Sequence, residues 1–97
     1  MSLAEIDRMV DDILKEAENK KLTILKNAQK RAEAIRQSPI PVEEYVKKAQ
    51  EILKEAEELA KRIIAETEEK IAEARMIPED KKREVLELIR KYVTWSK

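Results

Sequence analysis

The chain has 97 residues, with 21 basic and 21 acidic side chains and with no Cys, His or Gly. Zero net charge argues against a general binder of nucleic acid or of anionic membranes, because both need a basic surplus. Without Cys and His there is no thiol nucleophile and no imidazole base or metal ligand, and without Gly there is no phosphate-cradling loop. We therefore expect no enzyme, no cofactor and no small-molecule substrate.

The length of the chain suits one small unit, so residues 1–97 are predicted to form a single helical domain. No apolar run is long enough to span a bilayer, and the N-terminus lacks the apolar segment of a signal peptide. We expect no membrane partner. For a natural protein of this kind, the cytoplasm is the default compartment.

The first predicted helix covers residues 3–37. An S-x-x-E capping box over residues 2–5 marks its start. Its apolar side chains recur every eleven residues, and one such series is Leu3, Leu14 and Leu25. Eleven residues make three turns, so this spacing gives a straight or slightly right-handed apolar stripe. Pro39 ends the helix, because the residue before a proline is pushed out of the α region.

The second predicted helix covers residues 41–75 and the third covers residues 78–94, each with apolar residues at helical spacing. Both begin at a proline, Pro41 or Pro78, which suits the first helical position because a missing N–H costs nothing there. The linkers are only a few residues long, and short connections make neighbouring helices antiparallel. The sequence thus predicts an all-α, three-helix, up-down-up bundle with two long helices and a shorter third.

Charge alternates between the halves of the predicted helices. The net side-chain charge is −4 over residues 1–18, +5 over 19–37, −3 over 41–58 and +2 over 79–97. In an antiparallel hairpin with the third helix folded back, opposite charges face each other. Exposed ion pairs are worth less than about 1 kcal/mol each, so this pattern sets register and orientation more than stability.

The second half of the first helix is basic. Its cations are Lys20, Lys21, Lys26, Lys30, Arg31 and Arg36. A nucleic acid or an acidic partner would suit them, but no aromatic side chains interleave for base stacking. Cations also favour the C-terminal end of a helix and an acidic neighbour. We therefore predict no nucleic-acid partner.

The unequal helix lengths predict a surface for self-association. The third helix is long enough to cover only half of the hairpin, and two helices alone cannot bury both apolar stripes. The residues expected to form this surface are Leu22, Leu25, Ala28, Ile35, Val42, Val46, Ala49, Ile52 and Leu53. An uncovered apolar patch usually marks an interface, and we expect a homo-oligomer, most simply an isologous dimer. The alternative is that the alanine-rich seam packs closely enough to hide the patch within one chain.

Two resemblances follow from these features. Residues 52–61, ILKEAEELAK, and the eleven-residue repeat of the first helix resemble the peripheral-stalk subunits of rotary ATPases, although the break at residues 38–41 departs from their long uninterrupted helices. That resemblance implies a natural coiled-coil or stator-type protein that binds partner helices.

The whole chain also resembles de novo designed helical proteins. The resemblance rests on its dense Glu/Lys pairing, its Ala/Leu/Ile cores and its proline-led helix starts. It implies a structural scaffold that was chosen to fold and has no natural biochemical activity. This is the preferred prediction, and the natural interaction protein is the alternative.

Overall fold

Three α-helices make up nearly all of the chain in the computed structural model, which describes residues 2–39 and 41–95. The helices are α1 (Leu3–Arg36), α2 (Val42–Arg75) and α3 (Glu79–Trp95), and the described residues contain no strand. The predicted all-α, three-helix fold with two long helices and a shorter third is confirmed. The predicted single domain also includes residues 1, 40, 96 and 97, which lie outside the described residues.

The start of α1 is capped as the sequence predicts. Ser2 has extended backbone angles, with φ −80° and ψ 158°, and its hydroxyl oxygen accepts a hydrogen bond from the Glu5 amide at 3.2 Å. This bond satisfies one of the four amides that a helix N-terminus leaves without an intrahelical partner.

The two connections turn without glycine. Gln37 and Met76, which follow α1 and α2, keep right-handed backbone angles, and none of the described non-glycine residues has a positive φ. Instead, the Ser38 amide donates to the carbonyl of Ile35 at 3.2 Å, and the second connection contains an equivalent bond of the same length. Tight three-residue bonds of this kind satisfy the last carbonyls of a helix and stop it without a left-handed residue.

The helix boundaries differ from the predicted ones by one residue. Pro41 has φ −41° and ψ 117°, outside the helical region, so it precedes the first helical residue of α2 and does not occupy that position. Pro78 likewise precedes α3, and its carbonyl accepts a hydrogen bond from the Lys81 amide at 3.0 Å. Both prolines therefore act as the last residue of the connection.

The hydrophobic core lies at one end of the hairpin, where the first half of α1, the second half of α2 and α3 meet. Its buried members are Ile6, Val10, Ile13, Ala17, Ile71, Ala74, Leu86, Ile89 and Val93. Burying a large aliphatic side chain contributes about 1.5–3 kcal/mol, so this cluster provides most of the hydrophobic stabilisation of the fold. Its position confirms that α3 folds back over the open end of the hairpin.

One polar side chain is fully buried in α2. Thr67 has no exposed surface, and its hydroxyl donates to the carbonyl of Ile63 one turn earlier at 2.6 Å. A buried hydroxyl needs a partner, and threonine in a helix commonly finds one in this carbonyl.

The molecule is a rod. Its principal extents are 59 × 16 × 16 Å and its radius of gyration is 17.8 Å, whereas a compact domain of this length has a radius of gyration of about 12–13 Å. Within the described residues, no helix has the length and apolar character that crossing a membrane requires.

Candidate self-association surface

The end of α3 sets the boundary of the part of the hairpin that α3 leaves uncovered. Arg90 binds the Oε1 atom of Glu16 through Nη2 at 2.6 Å and through Nε at 2.7 Å. About one turn later, the Thr94 carbonyl accepts a hydrogen bond from Lys20 Nζ at 3.5 Å. Since α3 ends at Trp95, the second half of α1 extends beyond the helix that covers the first half.

The same boundary is visible on α2. The Tyr92 hydroxyl donates a hydrogen bond to Glu66, and the Lys70 ammonium lies 5.0 Å from the centroid of the Tyr92 ring. Because α3 runs antiparallel to α2, the part of α2 from Val42 to about residue 62 continues past the end of α3. We call this α3-free part of the hairpin, residues 21–36 and 42–62, the uncovered half.

Alanines line the seam between α1 and α2 in the uncovered half. The buried ones are Ala28, Ala32, Ala49, Ala56 and Ala60. Interaxial distances of packed helices vary from about 8 to 10 Å with the size of the side chains at the contact, so an alanine seam brings the two helices close together. The seam therefore forms a narrow core of its own with little apolar volume.

The nine residues of the predicted self-association surface divide into three groups. Ala28 and Ala49 are 5% and 0% exposed, so they lie within the seam of a single chain and are not available to a partner. Leu22 and Val42 are 57% and 66% exposed. The half-buried members are Leu25, Ile35, Val46, Ile52 and Leu53. The seam thus shelters part of the predicted surface, as the alternative prediction stated, and leaves part of it exposed.

The Arg90–Glu16 pair is the only ion pair within 4 Å that joins two helices of the described chain. The hydrogen bond and then the Coulomb attraction from Glu16 raise the pKa of the Arg90 guanidinium above its ordinary value. The other carboxylate oxygen of Glu16, Oε2, is buried without a hydrogen-bond partner. The pair positions the last two turns of α3 on α1.

The aromatic residues do not form a ligand box. Tyr45 and Tyr92 are half-buried, whereas Trp95 is 82% exposed and projects from the end of α3.

A groove of about 430 Å³ runs between α1 and α3. Its charged lining is balanced, with three arginines and three carboxylates that are Arg8, Arg83, Arg90, Glu5, Asp12 and Glu87. No group of three carboxylates within the described residues has the geometry to hold a metal ion. This groove has no excess of either charge with which to select an ionic ligand.

Sequence reasoning missed the contacts that end the coverage by α3. Glu16 precedes Lys20 by four residues, a spacing that favours an ion pair within α1, but in the structure Glu16 binds Arg90 and Lys20 binds the Thr94 carbonyl. Both contacts join residues separated by 74 positions, so they lie one turn apart along two parallel helices. This separation becomes a recognisable pattern only once the register of α3 on α1 is known.

No protein-family model, curated protein or solved structure matches this chain.

Proposed function

We propose that this chain is a structural helical scaffold of designed origin that has no natural biochemical activity and associates with itself. The proposal includes no catalytic activity, no cofactor, no nucleic-acid partner and no small-molecule substrate. Adjacent carboxylates such as Glu57 and Glu58 point about 100° apart on a helix, so they do not converge on a substrate.

The observation that carries the proposal is the agreement of several local features with the same fold. The two long helices, Leu3–Arg36 and Val42–Arg75, have equal lengths of 34 residues. A Ser cap, prolines at both helix entries, alanines along the seam and aliphatic residues in the core all favour the same bundle. Such consistency across levels is the criterion by which scaffolds are designed.

Thermal unfolding followed by far-UV circular dichroism tests the designed origin. Idealised helical bundles are typically hyperstable, so we expect the helical signal to persist above about 90 °C. A cooperative transition at about 45–65 °C, which is typical of natural mesophilic domains, would contradict the proposal.

Sedimentation equilibrium tests self-association. The full chain is examined from low to high micromolar concentration, and we expect the mass to rise from 11.4 kDa towards twice that value. The exposed Leu22 and Val42 of the uncovered half support this expectation. A mass that stays at 11.4 kDa across the range would contradict self-association.

The second candidate is a natural coiled-coil or stator-type protein that binds partner helices. The same uncovered half favours it, because a helical partner with an apolar stripe would cover it as well as a second copy would. A segment of that kind is expected to be marginally stable alone and to gain helicity and thermal stability with its partner. The melting experiment therefore separates the two candidates.

A further inference from the structure

The hairpin of α1 and α2 has two sides, and α3 occupies one of them. On α1 the contacts with α3 come from Glu16 and Lys20, and on α2 they come from Glu66 and Lys70. We call the opposite side of the hairpin the back face. It runs the full length of the rod, because none of the three helices of the described residues crosses it.

Two leucines of α1 lie on the back face, beside charged side chains such as Glu18, which follows Glu16 by two residues and is exposed on the same side. Leu14 precedes Glu16 by two residues and so lies about 200° from it around the helix, on the side away from α3. Leu25 follows Leu14 by eleven residues, which is three turns, and lies on the same side. Leu14 is 36% exposed and Leu25 is half-buried, so neither is fully covered within one chain.

Two aliphatic residues of α2 lie on the back face, beside charged side chains such as the exposed Glu68. Ile64 precedes Glu66 by two residues and again lies about 200° from it, and Leu53 precedes Ile64 by eleven residues. Both are half-buried, and Ile64 also packs against the hydrophobic core. Because α1 ends at Arg36, α2 begins at Val42 after a short connection and both helices rise equally, Leu14 lies about level with Ile64 and Leu25 with Leu53. We call these four residues the back stripe.

The back stripe is symmetric about the middle of the rod. Leu14 and Leu25 lie at equal distances from the midpoint of α1, and Leu53 and Ile64 lie at equal distances from the midpoint of α2. A two-fold axis through that point therefore places Leu14 of each copy level with Leu25 of the other, so the surface is self-complementary, as an isologous dimer requires.

The charge distribution selects the antiparallel orientation. Among the described residues, the end that contains α3 combines residues 2–18 at −4, residues 59–75 at 0 and residues 79–95 at +1, and its net side-chain charge is −3. The other end combines residues 19–37 at +5 and residues 41–58 at −3, and its net charge is +2. Two parallel rods would place like-charged ends together, whereas two antiparallel rods place opposite ends together.

We propose that a second copy of this chain packs antiparallel on the back face, centred on the back stripe. The four long helices then form the inner layer of the dimer, and α3 of each copy lies on the outside. This inference rests on the self-association proposed above and adds the surface and the orientation. The proposed dimer differs from one formed only by the two uncovered halves, in which the two rods would overlap over only half of their length.

Distances between spin labels test the orientation. The chain contains no Cys, so Asn19→Cys and Gln37→Cys each provide a single labelled site, and both native side chains are exposed. In the antiparallel dimer the two labels at position 19 lie level, near the midpoint of α1, while the labels at position 37 are separated by about 50 Å along the rod. A long distance at position 37, together with a shorter one at position 19 that only the width of the dimer sets, is the expected result.

Other label distances would overturn the proposed orientation. Short distances at both positions would indicate parallel copies, and a distance of about 25 Å along the rod at position 37 would indicate overlap of the uncovered halves only. Either result leaves self-association intact and rejects the back face or the orientation. A monomer by sedimentation at labelling concentrations would reject self-association itself.

Matched substitutions test the surface. Leu14→Glu changes a member of the back stripe that lies outside the uncovered half, and we expect the dissociation constant of the dimer to rise at least about tenfold. Leu88→Glu is the control, because Leu88 is 60% exposed on α3, away from the back face. We expect that control to leave the dissociation constant unchanged.

Circular dichroism of both variants confirms that the helices remain, which keeps a loss of dimer distinct from a loss of fold. An unchanged dissociation constant in a folded Leu14→Glu variant would overturn the proposal. So would an equal rise in the Leu88→Glu control.

Discussion

At the scale of single residues, Thr67 carries the one fully buried hydroxyl among the residues that the structure describes. Its partner, the carbonyl of Ile63, lies in the same helix, so the bond joins no two elements and gives no register to the fold. The hydroxyl adds a desolvation cost at a site that an aliphatic side chain could fill.

Replacing this threonine by its apolar isostere tests that cost. We expect Thr67→Val to leave the free energy of unfolding unchanged or to raise it by up to about 1 kcal/mol, measured by urea denaturation. Thr23→Val is the control, since Thr23 is exposed and makes the same bond to the carbonyl four residues earlier, at 3.0 Å. A loss of more than about 1 kcal/mol in Thr67→Val alone would show that the hydroxyl stabilises the bundle.

The contact between Arg90 and Glu16 has a defined pH dependence. The pKa of Arg90 is raised in the folded state. Its contribution to the free energy of unfolding is therefore complete below the ordinary arginine pKa and is lost only as the pH rises through the raised pKa. We therefore expect Glu16→Gln to lower the urea midpoint by the same amount at neutral and at mildly alkaline pH. Added salt should reduce the difference, because Arg90 is exposed.

Glu69→Gln provides the control for charge alone, since Glu69 is an exposed carboxylate on α2. It should leave the midpoint unchanged at both pH values. If the difference in urea midpoint between Glu16→Gln and the native chain were smaller at mildly alkaline pH than at neutral pH, this account of Arg90 would be contradicted.

At the scale of the elements, the prolines and the helical spacing were sufficient to predict three helices to within one residue at each end. The side-chain pairs were not predictable in the same way. Glu57 and Glu58 each precede a cation by four residues, a spacing that favours pairing, but neither forms an ion pair within 4 Å. The ion pairs within single helices of the described chain are Glu18–Lys21 and Glu33–Arg36, three residues apart, and Arg83–Glu87, four residues apart. Long exposed side chains gain little from any one pairing, so local patterns do not select it.

The alanine seam makes the spacing of α1 and α2 sensitive to side-chain volume. Ala60 is 1% exposed within the seam, and we expect Ala60→Leu to lower the free energy of unfolding by about 1–3 kcal/mol through overpacking. Ala65→Leu is the control, since Ala65 is exposed on the same helix. Urea denaturation measures both, and equal effects at the two positions would show that the seam is not closely packed.

At the scale of the whole molecule, half-coverage of the hairpin follows from helix lengths that the sequence already indicates. Which side of the hairpin α3 takes does not follow from them. The predicted surface therefore included Ala28 and Ala49, which the seam buries, and omitted Leu14 and Ile64, which lie on the side opposite α3. The eleven-residue spacing that relates Leu14 to Leu25 is visible in the sequence. The side of the hairpin that these residues face became known only from the contacts of Glu16 and Glu66 with α3.

Residue-resolved amide hydrogen exchange at several protein concentrations tests most directly whether α3 covers one half of the hairpin and a second copy covers the back face. At concentrations where the chain is a monomer, we expect the slowest exchange around Ile13, Ile71 and Leu86 and faster exchange around Ile35 and Val46. At concentrations where the dimer forms, protection around Leu25 and Leu53, the members of the back stripe beyond α3, should rise. Even protection along the hairpin in the monomer, or a profile that does not change with concentration, would contradict the account.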